Sequence, residues 1–349
     1  MRGKSQVKLS LYLVFFILPA TASAQAADSL AQMKIPATKT DALGGRLTLS
    51  VPSQTKSQAM QHGIMAAPES DFEQTRIVID AGEQRLVLVV YELFARAGTD
   101  LEGSVQKETS RFPVKVNLQK WPLSAALQAV AYFPVAPTKD EEANLVMGVF
   151  VAQLDGSVQN LVWYVNRAAA AQFDAALSLA KAMAKTIASG NRGLNSSPGE
   201  RELSAYSKTK GVFITAPEGY VVTAQRGPDF IVHHIHKLTV FGDSLATIGV
   251  YLGDHPSAEH EGFAEEGTSV LFGKQAHWYR KTTNEDGQTV IQARALVPLG
   301  PALFGHVLPG VSSGPSYADI FLAAGDASTV EELKSIAATL RVGDRHTQP

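Results

Sequence analysis

The 349-residue chain contains no cysteine. Disulfides, thiol nucleophiles and thiolate metal ligation are therefore excluded, and stability rests on packing alone. No basic block exists either: 31 Lys and Arg face 33 Asp and Glu, for a formal net charge of −2. A weakly acidic chain without a basic stripe argues against nucleic acid or an anionic membrane surface as the main partner. There is no glycine-rich phosphate loop and no dinucleotide fingerprint, so no motif implies a cofactor. Apolar runs are short. None approaches the roughly 20 residues needed to cross a bilayer.

What is present begins with a leader. Arg2, Lys4 and Lys8 precede the apolar run LSLYLVFFILPA, and Ala22-Ser23-Ala24 follows it. A basic segment, a short apolar segment and small residues define a secretory signal. Residues 1–24 read as a signal peptide with Gln25 as the first mature residue. The expectation is a soluble exported protein, periplasmic or secreted. Hydrophobic residues make up 45% of the chain and charged residues 18%, enough apolar content for two cores.

The rest of the chain reads as one plan written twice. GRLTLSVP (45–52) and GVFITAP (211–217) are short strands stopped by proline. Asp71-Phe72 and Asp229-Phe230 each precede an apolar strand, a turn at Gly82 or Gly242, and a second strand reaching Tyr91 or Tyr251. A helix closes each half. The first is expected over 167–189 with Asn166 as N-cap and Gly190 as its stop; the second over 329–340 with Ser328 and Glu331 as a capping box. Their ends match as MAKTIASG and IAATLRVG. SGNRGLNSSPGERE (189–202) has a linker's composition. The domain reading is a first unit at 25–189, a linker at 190–203 and a second unit at 204–349. Two features break the symmetry: a helix expected over Trp121–Phe133, and a hairpin around Asn284–Gly287. The predicted fold class is α+β, two tandem units, each an antiparallel sheet with a helix packed on one face.

The second unit carries FITAPEGYVV, a hairpin running to IGVYLGDHP, a strand pair around FGKQAHWYRK and a closing SIAATLRV. In these it resembles the PsbP-like superfamily. The resemblance covers about 130 residues of that unit, and the first unit more loosely. It implies a non-enzymatic fold used for docking and assembly, and it transfers no functional residue.

Two serines stand in nucleophile-like words. VFGDSLATIG (240–249) contains the GDSL of a large esterase family, which would make Ser244 the nucleophile. That chemistry needs a serine entering a helix, with a histidine base and an acid behind it. LATIGVYL is instead β-forming, no Asp is followed three residues later by His, and the family's GxND block is missing. GVSSG (310–314) fits a nucleophile elbow at Ser312, but prolines flank it and YADIFLAAG reads as a strand. Both words read as turns or loops. A serine hydrolase, with Asp319, Asp326 and His346 as later partners of Ser312, is the alternative.

Eight of nine histidines fall in the second unit. His233, His234 and His236 form HHIH on a strand, where His234 and His236 share a face. His255 and His260 lie beyond the next strand, with Asp254, Glu259 and Glu261. An imidazole and carboxylate metal site is a further alternative, although the spacing matches no established ligand pattern. Asp140-Glu141-Glu142 and Glu265-Glu266 read as solvated charge. One member each of Trp163-Tyr164 and Trp278-Tyr279 should pack inward. The function expected is a non-catalytic binding or assembly protein, its partner an unknown protein or small ligand of the cell envelope. Its candidate surfaces are the cleft between the units and the His-rich hairpin.

Overall fold

The computed structural model describes residues 30–35, 39–52, 73–81, 84–124, 127–135, 143–166, 173–205, 210–226, 231–243, 246–256, 262–285, 288–300 and 315–345. The leader at 1–24, His62, His260 and His346, the acidic run 140–142, and both Asp-Phe pairs lie outside them. So do Ser244 and Ser312.

In the N-terminal half, β1 (Lys39–Ala42), β2 (Leu47–Ser50) and β9 (Ala188–Ser189) form a small antiparallel sheet. A larger sheet has the order β3 (Gln74–Ala81), β4 (Gln84–Arg96), β8 (Ser157–Asn166), β7 (Ala143–Ala152), β6 (Gln128–Pro134) and β5 (Val116–Lys120). In the C-terminal half, β10 (Gly199–Ala205), β11 (Lys210–Ala216) and β20 (Arg341–Asp344) form the small sheet. The large one runs β12 (Tyr220–Arg226), β13 (Ile231–Lys237), β15 (Thr247–Gly253), β19 (Tyr317–Ala324), β18 (Gln288–Pro298), β17 (Lys274–Glu285) and β16 (Ala264–Leu271). Apart from β12, the two large sheets follow the same chain order.

The expected α+β class is corrected to a mainly β architecture. Among the described residues there are four sheets and three α-helices, α1 (Leu101–Thr109), α2 (Phe173–Ala184) and α3 (Ala327–Ala337). Each large sheet is covered by a helix and a small sheet together. Leu179 and Met183 of α2 share a core with Leu47 and Leu49 of β2 and with Leu88 and Trp163 of the large sheet. Leu333 and Ile336 of α3 do the same with Val212, Ile214 and Trp278. Alternation puts one aromatic of each pair inside, as expected: Trp163 and Trp278 are buried, Tyr164 and Tyr279 half-buried.

Local expectations met mixed outcomes. β3 and β4 form a hairpin with Ala81 opposite Gln84, and Glu285 opposite Gln288 closes the hairpin expected near 284–287. Trp121–Phe133 is not a helix. β6 occupies its second half because pairing with β5 and β7 outweighs the helix preference of its Leu and Ala residues. The Asn166 side chain accepts from the Arg85 backbone N–H at 3.0 Å, at the end of β8. Asp326, not Ser328, caps α3, accepting from Thr329 N at 2.8 Å. The linker-like run ends in a strand, since β10 starts at Gly199. Helix α1, capped by Asp100, was not expected; it covers the outer face of the first large sheet.

Candidate functional site

The connection between β13 and β15 is where the two halves meet. Thr239 and Val240 leave their own sheet as β14 and pair in parallel with Ala95 and Arg96 of β4. Phe241 N donates to Arg96 O at 2.8 Å. Its ring packs 5.3 Å from Phe150, inside the core that α1 covers. Lys107 of α1 donates to Gly242 O at 2.7 Å. The glycine at 242 is required by its φ of +95°. The docking residues Thr239–Gly242 lead into the GDSL word, and Thr247 beyond it opens strand β15 rather than a helix. Strand β19 likewise follows Ser312. Asp319, the acid that chain order would supply, is held by the guanidinium of Arg294.

A second junction lies alongside. Glu73, one residue before β3, reaches the outer face of β13. Its Oε1 lies 2.6 Å from His234 Nδ1 and 3.7 Å from His236 Nε2, and accepts from the Thr223 hydroxyl at 2.5 Å. An ionised carboxylate only accepts, so His234 carries its proton on Nδ1. His236 Nδ1 lies 3.4 Å from the Thr247 hydroxyl, and its ring stacks on Phe94 with centroids 4.1 Å apart. Burial alone would raise the Glu73 carboxyl. Hydrogen bonds from His234 and His236 outweigh it and hold the group below the usual carboxylate range. Burial lowers His236, against the opposing pull of Glu73.

Phe94 is available for this stacking because β4 is irregular there. The register with β8 shifts between Glu92 and Arg96, and Phe94 sits at φ +49°, a region that non-glycine residues seldom occupy. A fully buried network holds the bulge. Arg46 pairs with Glu92 and donates to Ser157 Oγ at 3.0 Å; Gln159 Nε2 donates to Glu92 at 3.0 Å; Glu92 accepts from Phe94 N at 3.3 Å. Burial pushes Glu92 up to about 7, with Arg46 pulling the other way.

Of the five histidines singled out, the structure unites His234 and His236. His233 points to the opposite face, is 1% exposed, and among the described residues neither ring nitrogen has a hydrogen-bond partner. Burial depresses it to about 3. His255 is exposed, its backbone N–H donating to Tyr251 Oη at 3.1 Å. His260 lies outside the described residues. Glu265 pairs with His277, and Glu266 with Arg280 and Lys334. Sequence reasoning missed Glu73, Phe94, Thr223 and Phe241. A space of about 560 Å³ lies beside the junction. Lys107 of α1, Lys237, Thr239 and Asp243 of the connection, and Asp326 and Thr329 at the start of α3 line it.

No protein-family model matches the chain, PsbP-like ones included, and no curated protein matches it. Among solved structures, the chain is similar to the apo form of the immunity protein TplEi of the T6SS from Pseudomonas aeruginosa. Identity is 11% over 87% of this chain and 96% of that one, with a TM-score of 0.22. It is also similar to a chain of the Tle4–Tli4 complex, at 11% identity over 85% and 95%, with a TM-score of 0.23. Superpositions this poor carry no statement about fold or function. Among the described residues, no helix is long and apolar enough to cross a membrane.

Proposed function

We propose that this is an exported, non-catalytic binding protein whose units, 25–189 and 204–349, hold a partner in the cleft between them. The observation that supports the proposal is the composition of that cleft: α1 contributes Lys107, and the β13–β15 connection and the start of α3 contribute the rest of the lining. The lining is fixed in place by its own contacts. Lys107 is tied to Gly242, Lys237 pairs with Glu332 at 2.6 Å, and Asp326 caps α3. Charges of both signs and the absence of an aromatic wall suit a polar loop of a partner protein better than an apolar small molecule. Export rests on the leader, and the non-catalytic reading is supported by strand β15, which begins at Thr247 where a nucleophile elbow would need a helix.

The test is capture from the native cell envelope. The leader-free chain recovers a partner, and the Asp243→Arg/Thr329→Arg variant, which fills the cleft with cationic side chains, does not. Equal recovery by both chains places the partner elsewhere and removes the cleft from the account.

A further inference from the structure

The geometry points to a transition-metal site, fitted best by zinc, formed by Glu73, His234 and His236 across the junction of the two halves. One ligand atom from each residue lies within 4.8 Å of the others. Oε1 of Glu73 faces Nδ1 of His234 and Nε2 of His236. Two imidazoles and a carboxylate are a borderline donor set that favours zinc over magnesium or calcium, which prefer oxygen alone. Tetrahedral zinc at about 2.0–2.1 Å from its ligands separates neighbouring donors by roughly 3.3 Å. The pairs now stand at 2.6 Å for Glu73 with His234 and 3.7 Å for Glu73 with His236. Shifts under about 1 Å in partly exposed side chains bring both to that spacing. Three protein ligands leave the fourth position to water.

The surroundings resemble the second layer of a metal site rather than a random polar patch. His236 is aligned by the Phe94 ring on its face and by the Thr247 hydroxyl at its other nitrogen. Glu73 is held by the Thr223 hydroxyl. Such outer partners fix ring orientation and tautomer. The competing explanation is a self-satisfied histidine–carboxylate pair. It accounts for His234 at 2.6 Å and, through the Thr223 hydroxyl 3.3 Å from Nε2, for His236 as well, so what favours the ion is the convergence of two imidazoles on one carboxylate oxygen, and zinc uptake separates the two readings. An ion here takes the place of the proton now held between His234 Nδ1 and Glu73. It also ties β13 to the residue preceding β3, so binding adds a bond between halves that are 161 positions apart in sequence at this contact.

Titration calorimetry with ZnCl2 on the untagged, leader-free chain tests the site. The expected result is one ion per chain and a Tm that rises with zinc concentration, both reversed by EDTA. Glu73→Gln keeps the size of the side chain and should weaken zinc roughly 10-fold or more. The His234→Gln/His236→Gln chain should lose the one-ion isotherm. His277→Gln, at the exposed pair with Glu265, should change nothing. Circular dichroism reports whether each variant is folded; if the double variant is not, Glu73→Gln alone decides. The proposal is overturned if the wild-type chain takes up no zinc, or if Glu73→Gln or a folded double variant binds it with wild-type stoichiometry and affinity.

Discussion

The imidazole of His236 lies flat on the ring of Phe94, centroids 4.1 Å apart and planes within 2° of parallel. One residue belongs to the C-terminal half and the other to a bulge in the N-terminal half. Beside them Phe241 crosses in the same direction, from its own half into the other half's core. Side-chain packing therefore joins the two halves beside the cleft.

Phe241→Ala should destabilise the protein by about 3 kcal/mol, the lower end for a buried phenylalanine, because it empties a space facing Phe150. Urea unfolding followed by intrinsic fluorescence measures it. A loss under about 1 kcal/mol would show that the halves do not depend on this anchor.

The buried histidines should make acid weaken the fold, an effect that Glu92, raised to about 7, opposes. His233 and His236 are both depressed by burial, so below about pH 6.5 the unfolded chain binds protons that the folded chain refuses. Their contribution is fully present above pH 6.5 and is lost as pH falls toward the folded values, about 3 for His233. Stability should drop by up to about 1.4 kcal/mol per pH unit for each fully titrating group. His233→Leu should flatten the profile between pH 6.5 and 4. It should also leave stability at pH 8 unchanged or raised, since among the described residues neither ring nitrogen has a hydrogen-bond partner to lose. Chemical denaturation across that pH range checks both statements.

The Arg46–Glu92 pair should show the asymmetry of a buried ion pair. Arg46→Met leaves Glu92 buried without its cation and should cost about 3–5 kcal/mol. Adding Glu92→Leu should recover much of that loss. A double variant no better than the single would mean that the hydrogen bonds to Ser157 and Gln159 dominate the site.

A fluorophosphonate probe should leave the leader-free chain unlabelled, and short-chain p-nitrophenyl esters should turn over no faster than in buffer. Strand β15 after Ser244 and strand β19 after Ser312 give neither serine a helix to lead into. Labelling that disappears in Ser244→Ala would restore the hydrolase reading.

Features resting on near neighbours in sequence were legible: the β3–β4 hairpin, the buried Trp163 and Trp278, and the closing helices α2 and α3. The balance of the fold class was not. Leu and Ala in 121–133 favour helix locally, and only pairing with β5 and β7 makes β6 a strand. Helix α1 buries just Leu101, Val105 and Thr109, too thin a stripe to stand out, although Asp100 was an available cap signal. The histidine pair was visible through strand alternation. Its acid was not, because Glu73 is a single carboxylate in another half with no motif around it. The contacts of Thr239–Phe241 with β4 and Phe150 were not legible either, since their partners lie far upstream.

The central claim is that a partner occupies the cleft between the halves. A photo-crosslinking amino acid at Thr329, which lines the cleft, tests it against the same group at Leu154, which is 79% exposed and does not line it. The account predicts a discrete adduct in the native envelope from position 329 and none from 154. Adducts from 154 alone, or equally from both, would contradict it.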